Sequence, residues 1–325
     1  MSRIDTEEEI LELLRKSPNK YVSGEDLSRK FKVSRTAIWK NIHSLIAQGY
    51  EIESHTHLGY KLLSAPDILL AAEIRNGLNT KYVGQNMYCF NEIGSTNDFA
   101  LKYTEKGVEE GFLVTAEKQT HGKGRLGRNW ISPPNLGLWF SVILKPRISP
   151  FHSSKITFIS GLSVVDAVKK VTGEDAVLKW PNDVFFRGKK LCGILTEMRA
   201  EMDVINYLVI GMGVNVNFSR SDFPESLKHT ATSLKIELKQ EFSRVKLLKE
   251  ILKNLEDYYE LFKREGFDPI LNRWKDNCAT LNTRVKITQG KDIIEGFAQD
   301  VDDDCSLLVR LDSGIIYKTV SGDVS

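Results

Sequence analysis

The stretch VLKWPNDVFFRGKKLCGILTE, residues 177–197, decides the fold of the larger part of this 325-residue chain. Two apolar runs, 184–186 and 191–197, flank Arg187-Gly188-Lys189, which is a tight-turn signal between two strands. This pattern predicts an antiparallel β-hairpin. A sheet that contains the hairpin cannot be all-parallel, so the sequence disfavours a Rossmann sheet.

Around this hairpin, strand patterns alternate with helical periodicity. Further strands are predicted at 87–90, 112–117, 138–144, 177–180 and 207–216, and helices at 98–106, 154–171 and 244–263. The end of the chain, 277–325, has short strands and turns typical of a small β-barrel or sandwich. We therefore predict an α+β multidomain protein with parts at 1–66, 67–276 and 277–325.

The first part, residues 1–66, predicts a winged helix-turn-helix. Thr6 with Glu9 forms a capping-box pattern for a first helix, and Ser23 and Ser34 are N-cap candidates for two more. Two short strand patterns then predict a hairpin, at 50–54 and 60–63.

The third helix combines cations for phosphates with short polar groups for base edges, as a DNA-binding helix requires. The predicted DNA-contacting residues are Ser23, Ser34, Arg35, Thr36, Trp39, Lys40 and His43. Residues 27–50 contain several Lys and Arg and no acid. The alternative is a helical protein-interaction module with a solvated basic face, and the charge asymmetry and the wing favour DNA.

Composition excludes some classes of protein but does not identify the function. The net charge of +2 neither demands nor excludes nucleic acid, and 41% hydrophobic residues are enough for packed cores. The apolar runs are too short for a bilayer and the N-terminus has no secretory pattern. The four cysteines lie too far apart for a zinc ribbon. We expect a cytoplasmic protein without membrane contact.

Metal sites are not expected from the sequence. His55-x-His57 stands alone, and the acidic run at 300–304 lacks the Gly and Glu of a calcium loop.

The stretch GKGRLGR, residues 122–128, matches G-x-G-x-x-G. The following NWISPP prevents the helix that a dinucleotide fingerprint opens, and no G-K-[ST] completes a Walker A loop. A glycine loop remains, with four bases between 118 and 128 and no acid, suited to closing over a polyanion. An ordinary basic surface loop is the alternative.

Two further features invite a chemical interpretation. Asp183 and Lys190 meet across the predicted hairpin, where lysine suits a phosphate or carboxylate and aspartate could orient or deprotonate an amine. Spacing alone leaves an ordinary surface ion pair open. Gly211 and Gly213, two apart in a strand, predict either a flat floor for a planar ligand or close helix packing, and the sequence favours neither.

Five motifs occur in one order along the chain. They are Gly94-Ser95-Thr96-Asn97, Gln119-x-x-Gly122-Lys123-Gly124-Arg125, KWPND at 179–183, Lys190-x-x-Gly193 and Gly211-x-Gly213-x-Asn215. With the winged helix ahead of them, the whole chain resembles the bifunctional biotin protein ligases and biotin-operon repressors, the BirA type. The resemblance implies a central mixed sheet similar to class II synthetases and an SH3-like C-terminal barrel.

The resemblance also implies roles for the matching residues. Biotin binding is implied for Ser95, Thr96, Asn97, Gln119, Lys123, Gly124, Arg125 and Lys190. Nucleotide binding is implied for Arg128, Trp130, Asn182, Gly211, Gly213 and Asn215. Catalysis is implied for Lys190, which contacts the reacting carboxylate and phosphate, for Arg125 in the loop, and for Asp183 near the acceptor amine.

Two positions are less well matched. Lys123 stands where the family usually has arginine, so the charge is kept but a lysine cannot bind phosphate in bidentate fashion. The loop that covers the adenylate has no motif, and we expect it at 217–227 by position alone.

The implied reaction joins biotin and ATP, with Mg²⁺ carried on ATP, to give biotinyl-AMP, and then transfers biotin to a lysine of a biotin carboxyl carrier protein. The family also implies operator DNA as a partner and a homodimer when biotinyl-AMP is bound. Two alternatives stay open. One is an unrelated winged-helix regulator that senses a small molecule, and the other is a ligase whose first part serves protein contacts only.

Overall fold

The computed structural model of the chain describes residues 3–201, 204–290 and 292–324. The chain divides into two compact units, Met1–Asp67 and Ile68–Ser325. Among the described residues, no helix has both the length and the apolar character of a bilayer span.

The first unit has three helices followed by a two-stranded antiparallel hairpin. The elements are α1 (Arg3–Arg15), α2 (Gly24–Phe31), α3 (Arg35–Ala47), β1 (Glu51–His55) and β2 (Gly59–Ser64). Its core is made by buried residues that recur along the helices, namely Ile10, Leu14, Leu27, Ile38, Ile42 and Leu45. This is the winged helix-turn-helix that the sequence predicts.

The helix caps of this unit agree with the sequence at two of three positions. Ser23 Oγ accepts the Glu25 amide and Ser34 Oγ accepts the Ala37 amide, each at 3.1 Å. The capping box at Thr6 is wrong, because α1 already begins at Arg3 and Thr6 lies inside its first turns.

The second unit is built on a seven-stranded mixed sheet. Its strands are β3 (Met87–Ile93), β4 (Phe112–Gln119), β5 (Gly137–Leu144), β6 (Val177–Lys179), β7 (Asp183–Phe186), β8 (Lys189–Glu201) and β9 (Val204–Asn215). Their order is β3-β4-β5-β9-β8-β7-β6, in which only β3 and β4 are parallel. Arg187 and Gly188 turn from β7 into β8 with φ values of 48° and 79°, the positive values of a type I′ turn. The predicted hairpin is confirmed.

Helices cover both faces of this sheet. They are α4 (Ala71–Arg75), α5 (Thr96–Tyr103), α6 (Ser153–Thr172), α7 (Leu234–Leu238), α8 (Arg244–Glu265) and α9 (Asp268–Asp276). Successive side chains of a strand point to opposite faces. Accordingly, Phe140 and Val142 of β5 belong to the main core with α6 and α8, whereas Ile143 packs in a smaller cluster with Ala100 of α5.

A buried ion pair joins α8 to the sheet. Arg244, 1% exposed, places its Nη1 2.6 Å from Glu117 Oε2 near the end of β4. The same carboxylate accepts the backbone amide of Leu69 at 2.7 Å. One carboxylate therefore fixes β4, the first turn of α8 and the beginning of the second unit.

The chain ends in a five-stranded antiparallel sheet of order β13-β12-β11-β10-β14. The strands are β10 (Arg284–Gln289), β11 (Asp292–Val301), β12 (Leu307–Arg310), β13 (Ile316–Thr319) and β14 (Asp323–Val324). Trp180 Nε1 donates to the Cys305 carbonyl at 2.9 Å and so joins this sheet to the central one. The architecture predicted from sequence is present, while the division at 276/277 stays a prediction.

Candidate functional site

A cavity of about 520 Å³ lies in the second unit. It brings together residues from distant parts of the sequence that were predicted to bind biotin or nucleotide or to catalyse. Those lining it are Ser95, Thr96, Asn97, Gln119, Lys123, Gly124, Arg125, Arg128, Trp130, Asn182, Asp183, Lys190, Gly211, Gly213 and Asn215. Every predicted residue of this group lines the cavity, and the role of each stays a prediction.

The parallel pair β3–β4 positions the first part of the cavity wall. The carboxyl ends of parallel strands meet at one edge of a sheet, and Ile93 and Gln119 are paired there. Helix α5 begins directly after β3, with Ser95 as its N-cap. Gln119 Oε1 accepts the Thr96 amide at 2.8 Å, and Gln119 Nε2 donates to Ser132 Oγ at 3.0 Å. Parallel pairing thus brings the Ser-Thr-Asn stretch against Gln119.

A buried network fixes the orientation of the Asn97 amide. Asn97 Nδ2 donates to Glu197 Oε2 at 2.8 Å and to the Leu195 carbonyl at 3.3 Å, so Oδ1 must face the other way. Asn97 Oδ1 therefore accepts the single hydroxyl proton of Ser141 at 2.6 Å. The Thr96 hydroxyl lies 2.8 Å from Ser141 Oγ and 3.1 Å from Gln119 Oε1, and its single proton can serve either acceptor. Both N–H groups and Oδ1 of Asn97 are thereby used inside the protein.

The two glycines of β9 do not form an open floor. A Cβ at Gly211 would overlap the Asn97 side chain, and a Cβ at Gly213 would overlap the indole of Trp130. Of the two interpretations that the sequence left open, the structure shows close packing, because Asn97 of α5 and Trp130, which follows the glycine loop, lie against the two glycines. Close packing is the reason for glycine at both positions.

The Trp130 ring itself forms part of the wall. It packs over Gly213 and lies 2.9 Å from where a Cβ of Gly193 would stand. Within the described residues its buried Nε1 has no hydrogen-bond partner. Buried donors normally have an acceptor, so this N–H is suited to an acceptor atom of a bound ligand.

Three contacts anchor the glycine loop. Lys123 pairs with Asp98 in the first turn of α5, and this contact raises the pKa of Lys123. Arg125 Nη1 donates to Asn182 Oδ1 at 2.7 Å, and burial lowers the pKa of Arg125. No carboxylate contacts Arg125 among the described ion pairs. The loop is therefore held at α5 and at the turn before β7.

The third anchor comes from the end of the chain. Arg128 forms a two-pronged contact with Asp323 of β14, with Nη1 3.0 Å from Oδ1. The contact raises the pKa of Arg128 and lowers that of Asp323. Gly322, Asp323 and Val324 also line the cavity.

The turn and strand after the KWPND motif supply the acid and the lysine. Lys190 Nζ lies 2.7 Å from Asp183 Oδ1, with both side chains partly exposed. The same Nζ lies 5.5 Å from the centre of the Trp130 ring. The β7–β8 pairing is irregular beside it, because Val184 pairs with Cys192 and Phe185 with Lys190, which leaves Leu191 of β8 unpaired in the register. The ion pair between Asp183 and Lys190, which the sequence spacing allowed, is present, and both residues line the cavity.

Sequence reasoning missed several parts of this wall. Lys179 lies in the KWPND motif and lines the cavity, although neither the motif nor the family resemblance assigns it a role. Residues 322–324 reach the cavity only because β14 pairs with β10, and no local motif announces such a pairing. The segment expected to cover the adenylate, 217–227, contributes Phe223 and Leu227, while its role as a cover stays a prediction.

The predicted DNA-contacting side chains lie on α3 and at the helix caps of the first unit. Arg35, Thr36, Trp39, Lys40 and His43 are exposed, whereas Ser23 and Ser34 use their Oγ atoms to cap α2 and α3. The rings of Trp39 and His43 contact each other in a tilted arrangement, with centroids 3.9 Å apart and an interplanar angle of 43°. In the described part of the chain no three metal-ligating side chains cluster.

Three family models match successive parts of the chain. Residues 6–61 match an HTH domain, 89–215 the Biotin/lipoate A/B protein ligase family, and 280–325 the Biotin protein ligase C terminal domain.

Known proteins match over most of their length. The bifunctional ligase/repressor BirA of Bacillus subtilis is 36% identical over 97% of both chains. The protein of that name from Escherichia coli is 29% identical over 93% of this chain and 92% of its own length. The structure of a biotin protein ligase from Aquifex aeolicus in complex with biotin and ATP is 30% identical, with a TM-score of 0.64, and covers 74% of this chain and 98% of that one.

Proposed function

The chain belongs to the family of bifunctional biotin protein ligases and repressors, and from this premise we propose how its cavity and its helix-turn-helix unit work. It is an ATP-dependent biotin protein ligase with an N-terminal repressor-type unit. The DNA-binding domain is placed at 1–66, the catalytic domain at 67–276 and the C-terminal domain at 277–325. The proposed compartment is the cytoplasm, where ATP and DNA are both at hand.

The ureido head of biotin occupies the end of the cavity at β3 and β4. The Ser95 hydroxyl proton and the second Nε2 proton of Gln119 have no acceptor among the described contacts. Two such donors suit a ureido carbonyl oxygen. Asn97 acts differently, because its amide is already used, and it positions Thr96 and Gly211 rather than contacting biotin.

The main support for this reaction is that Lys190, Arg125 and Asp183 line one cavity. The same cavity contains the Ser95 and Gln119 donors. A biotin carboxylate oxygen attacks the α-phosphorus of MgATP, and the bond to the β-phosphate oxygen breaks. Lys190 and Arg125 face the negative charge that the reacting carboxylate and phosphate carry. Mg²⁺ enters as part of the MgATP substrate.

Transfer follows at the same place. The acceptor lysine of a biotin carboxyl carrier protein attacks the carbonyl carbon of biotinyl-AMP, and AMP leaves. Asp183 lies beside Lys190 and is placed to hold the incoming amine and receive its proton.

Repression follows from the first unit. A monomer has one recognition helix, whereas helix-turn-helix proteins usually bind two half-sites as a symmetric dimer. The proposed partner is operator DNA, bound by a homodimer that forms when biotinyl-AMP is held. The exposed basic and aromatic face of α3 supports the DNA part of this proposal.

The ligase function is tested with the purified full chain, biotin, MgATP and a carrier domain. We expect the mass of the carrier to rise by one biotinyl group at its acceptor lysine, and only when ATP is present. Lys190→Gln should slow pyrophosphate release by roughly two orders of magnitude, because it removes a charge that stabilises the transition state.

The matched control is Lys189→Gln, the neighbouring lysine of β8, which does not line the cavity. It should stay within about twofold of the unmodified protein, since adjacent side chains of a strand face opposite sides. An unmodified carrier would overturn the ligase function, and an active Lys190→Gln variant would overturn the role of Lys190.

A further inference from the structure

Lys179 is a cavity cation to which the chemistry above gives no role. It ends β6 directly opposite Asp183, is half-buried and lines the cavity. Among the described residues its ammonium group forms no ion pair or hydrogen bond. It lies instead over the ring of Phe185, whose centre is 4.7 Å from Nζ.

The charges around the cavity show why this matters. Three of its cations already have carboxylate partners, in the pairs Lys123–Asp98, Arg128–Asp323 and Lys190–Asp183. Arg125 contacts only the neutral amide of Asn182, and Lys179 contacts a ring. Two partly desolvated cations thus line the cavity with no carboxylate among the described residues in contact with them, and a bound anion would offset the cost of burying their charge.

Burial has a measurable consequence for this lysine. Loss of water around Nζ is the main cause that lowers the pKa of Lys179 below its ordinary value. The charge of Lys190 adds to this lowering, and the charges of Asp183 and Asp323 oppose it. A bound anion next to Nζ would stabilise the charged form and reverse the change.

The sheet order shows which part of MgATP this anion would be. Across the sheet, the biotin donors lie at β3 and β4, Lys190 lies on β8, and Lys179 lies on the edge strand β6. Neighbouring strands are about 4.8 Å apart, so β6 is roughly 10 Å beyond β8, on the side away from the biotin head. In an in-line displacement the leaving group departs opposite the attacking atom.

We propose that Lys179 binds the β- and γ-phosphates of MgATP and stabilises the departing pyrophosphate. The inference rests on the proposed ligase function and adds a catalytic residue to its first step. The carboxylate oxygen forms a bond to the α-phosphorus, and the electron pair of the broken P–O bond stays on pyrophosphate. Lys179 keeps its proton throughout and acts by charge.

Measuring the two half-reactions separately tests this role. Biotinyl-AMP lacks the β- and γ-phosphates, so a residue that binds only these groups affects adenylation but not transfer. Adenylation is measured by pyrophosphate release, and transfer is measured with supplied biotinyl-AMP and a carrier domain. Lys179→Gln should lower kcat/KM for ATP by roughly a hundredfold. Transfer should stay within about twofold, whereas Lys190→Gln should slow both steps, since its partners remain in the adenylate.

Two further measurements complete the design. Lys179→Arg should recover most of the adenylation rate, and Lys189→Gln, outside the cavity lining, should change neither step. Adenylation by the unmodified protein should fall as alkaline pH removes the Lys179 proton. In Lys179→Arg this fall should move to higher pH, because arginine stays charged.

Each outcome has one meaning. Equal losses in adenylation and transfer with Lys179→Gln would place Lys179 at the reacting carboxylate or acceptor and overturn the proposal. No loss in either step would also overturn it. If Lys179→Gln fails to fold, the rate and pH profile of Lys179→Arg decide. An unmodified protein without any biotinylation would instead overturn the ligase function itself.

Discussion

At the residue scale, Ser141 lies outside the cavity lining but holds the side chain of Asn97, which belongs to that lining. Its hydroxyl is fully buried, donates to Asn97 Oδ1 at 2.6 Å and lies 2.8 Å from the Thr96 hydroxyl. Because its proton goes to Asn97 Oδ1, Ser141 satisfies the amide oxygen, while the two Nδ2 bonds to Glu197 and Leu195 hold the other side of the amide. The orientation of Asn97 at the proposed biotin end thus depends on a residue of the inner strand β5.

Ser141→Ala should therefore weaken biotin binding. It leaves Asn97 Oδ1 without its donor, and a buried polar atom in that state costs about 1–3 kcal/mol. We expect KM for biotin to rise roughly tenfold or more, while KM for ATP changes little. Ser163→Ala is the control, because that buried hydroxyl bonds only the carbonyl of Ile159 in its own helix. Equal effects of both variants on KM for biotin would contradict the positioning role.

At the element scale, the ion pair between Arg244 and Glu117 holds α8 against the C-terminal end of β4. Arg244→Met removes one partner of a buried pair and leaves a carboxylate that is only 12% exposed. Breaking such a pair costs about 3–5 kcal/mol, and we expect the free energy of unfolding in urea to fall by this amount.

Arg273→Met, on the neighbouring helix α9, is the matched control for the loss of an arginine from an ion pair. Arg273 pairs with Asp166 across two helices, but its side chain is 53% exposed. An exposed pair contributes about 0–1 kcal/mol. A loss of stability for Arg244→Met no larger than that for Arg273→Met would show that the buried pair adds no special stability.

Element by element, local chemistry explains which predictions from sequence succeeded. The hairpin at Arg187-Gly188 and the caps at Ser23 and Ser34 depend on residues within a few positions, and the structure confirms them. Thr6 failed because the same capping pattern also fits inside a helix that begins earlier.

The cavity was predictable only in part for the same physical reason. Motifs indicated its sides at α5, the glycine loop and the hairpin. The covering of Gly211 by Asn97 and the approach of Asp323 depend on contacts between segments about a hundred residues or more apart, which no local pattern encodes.

At the scale of the whole molecule, ligand and DNA binding must influence each other equally if biotinyl-AMP favours the dimer that binds DNA. We expect tighter operator binding with biotinyl-AMP than without it, together with a shift from monomer to dimer in sedimentation. Lys40→Ala should weaken operator binding without changing adenylation. It should also make the dependence on salt shallower, by about 0.9 in the logarithmic slope for each phosphate that is no longer neutralised.

Lys16→Ala provides the control on the same unit, because Lys16 pairs with Glu12 on α1 and lies outside the predicted DNA surface. Its salt slope should match that of the unmodified protein. Equal operator affinity and equal oligomeric state with and without biotinyl-AMP would contradict the repressor mechanism while leaving the ligase intact.

The contact between Arg128 and Asp323 also bears on genetics. A stop codon at position 322 would remove Gly322, Asp323 and Val324 and would spare every sequence motif quoted above. It would nevertheless take away a wall of the cavity and the carboxylate that holds the glycine loop. Late nonsense mutations, usually regarded as mild, would in this gene belong with active-site lesions.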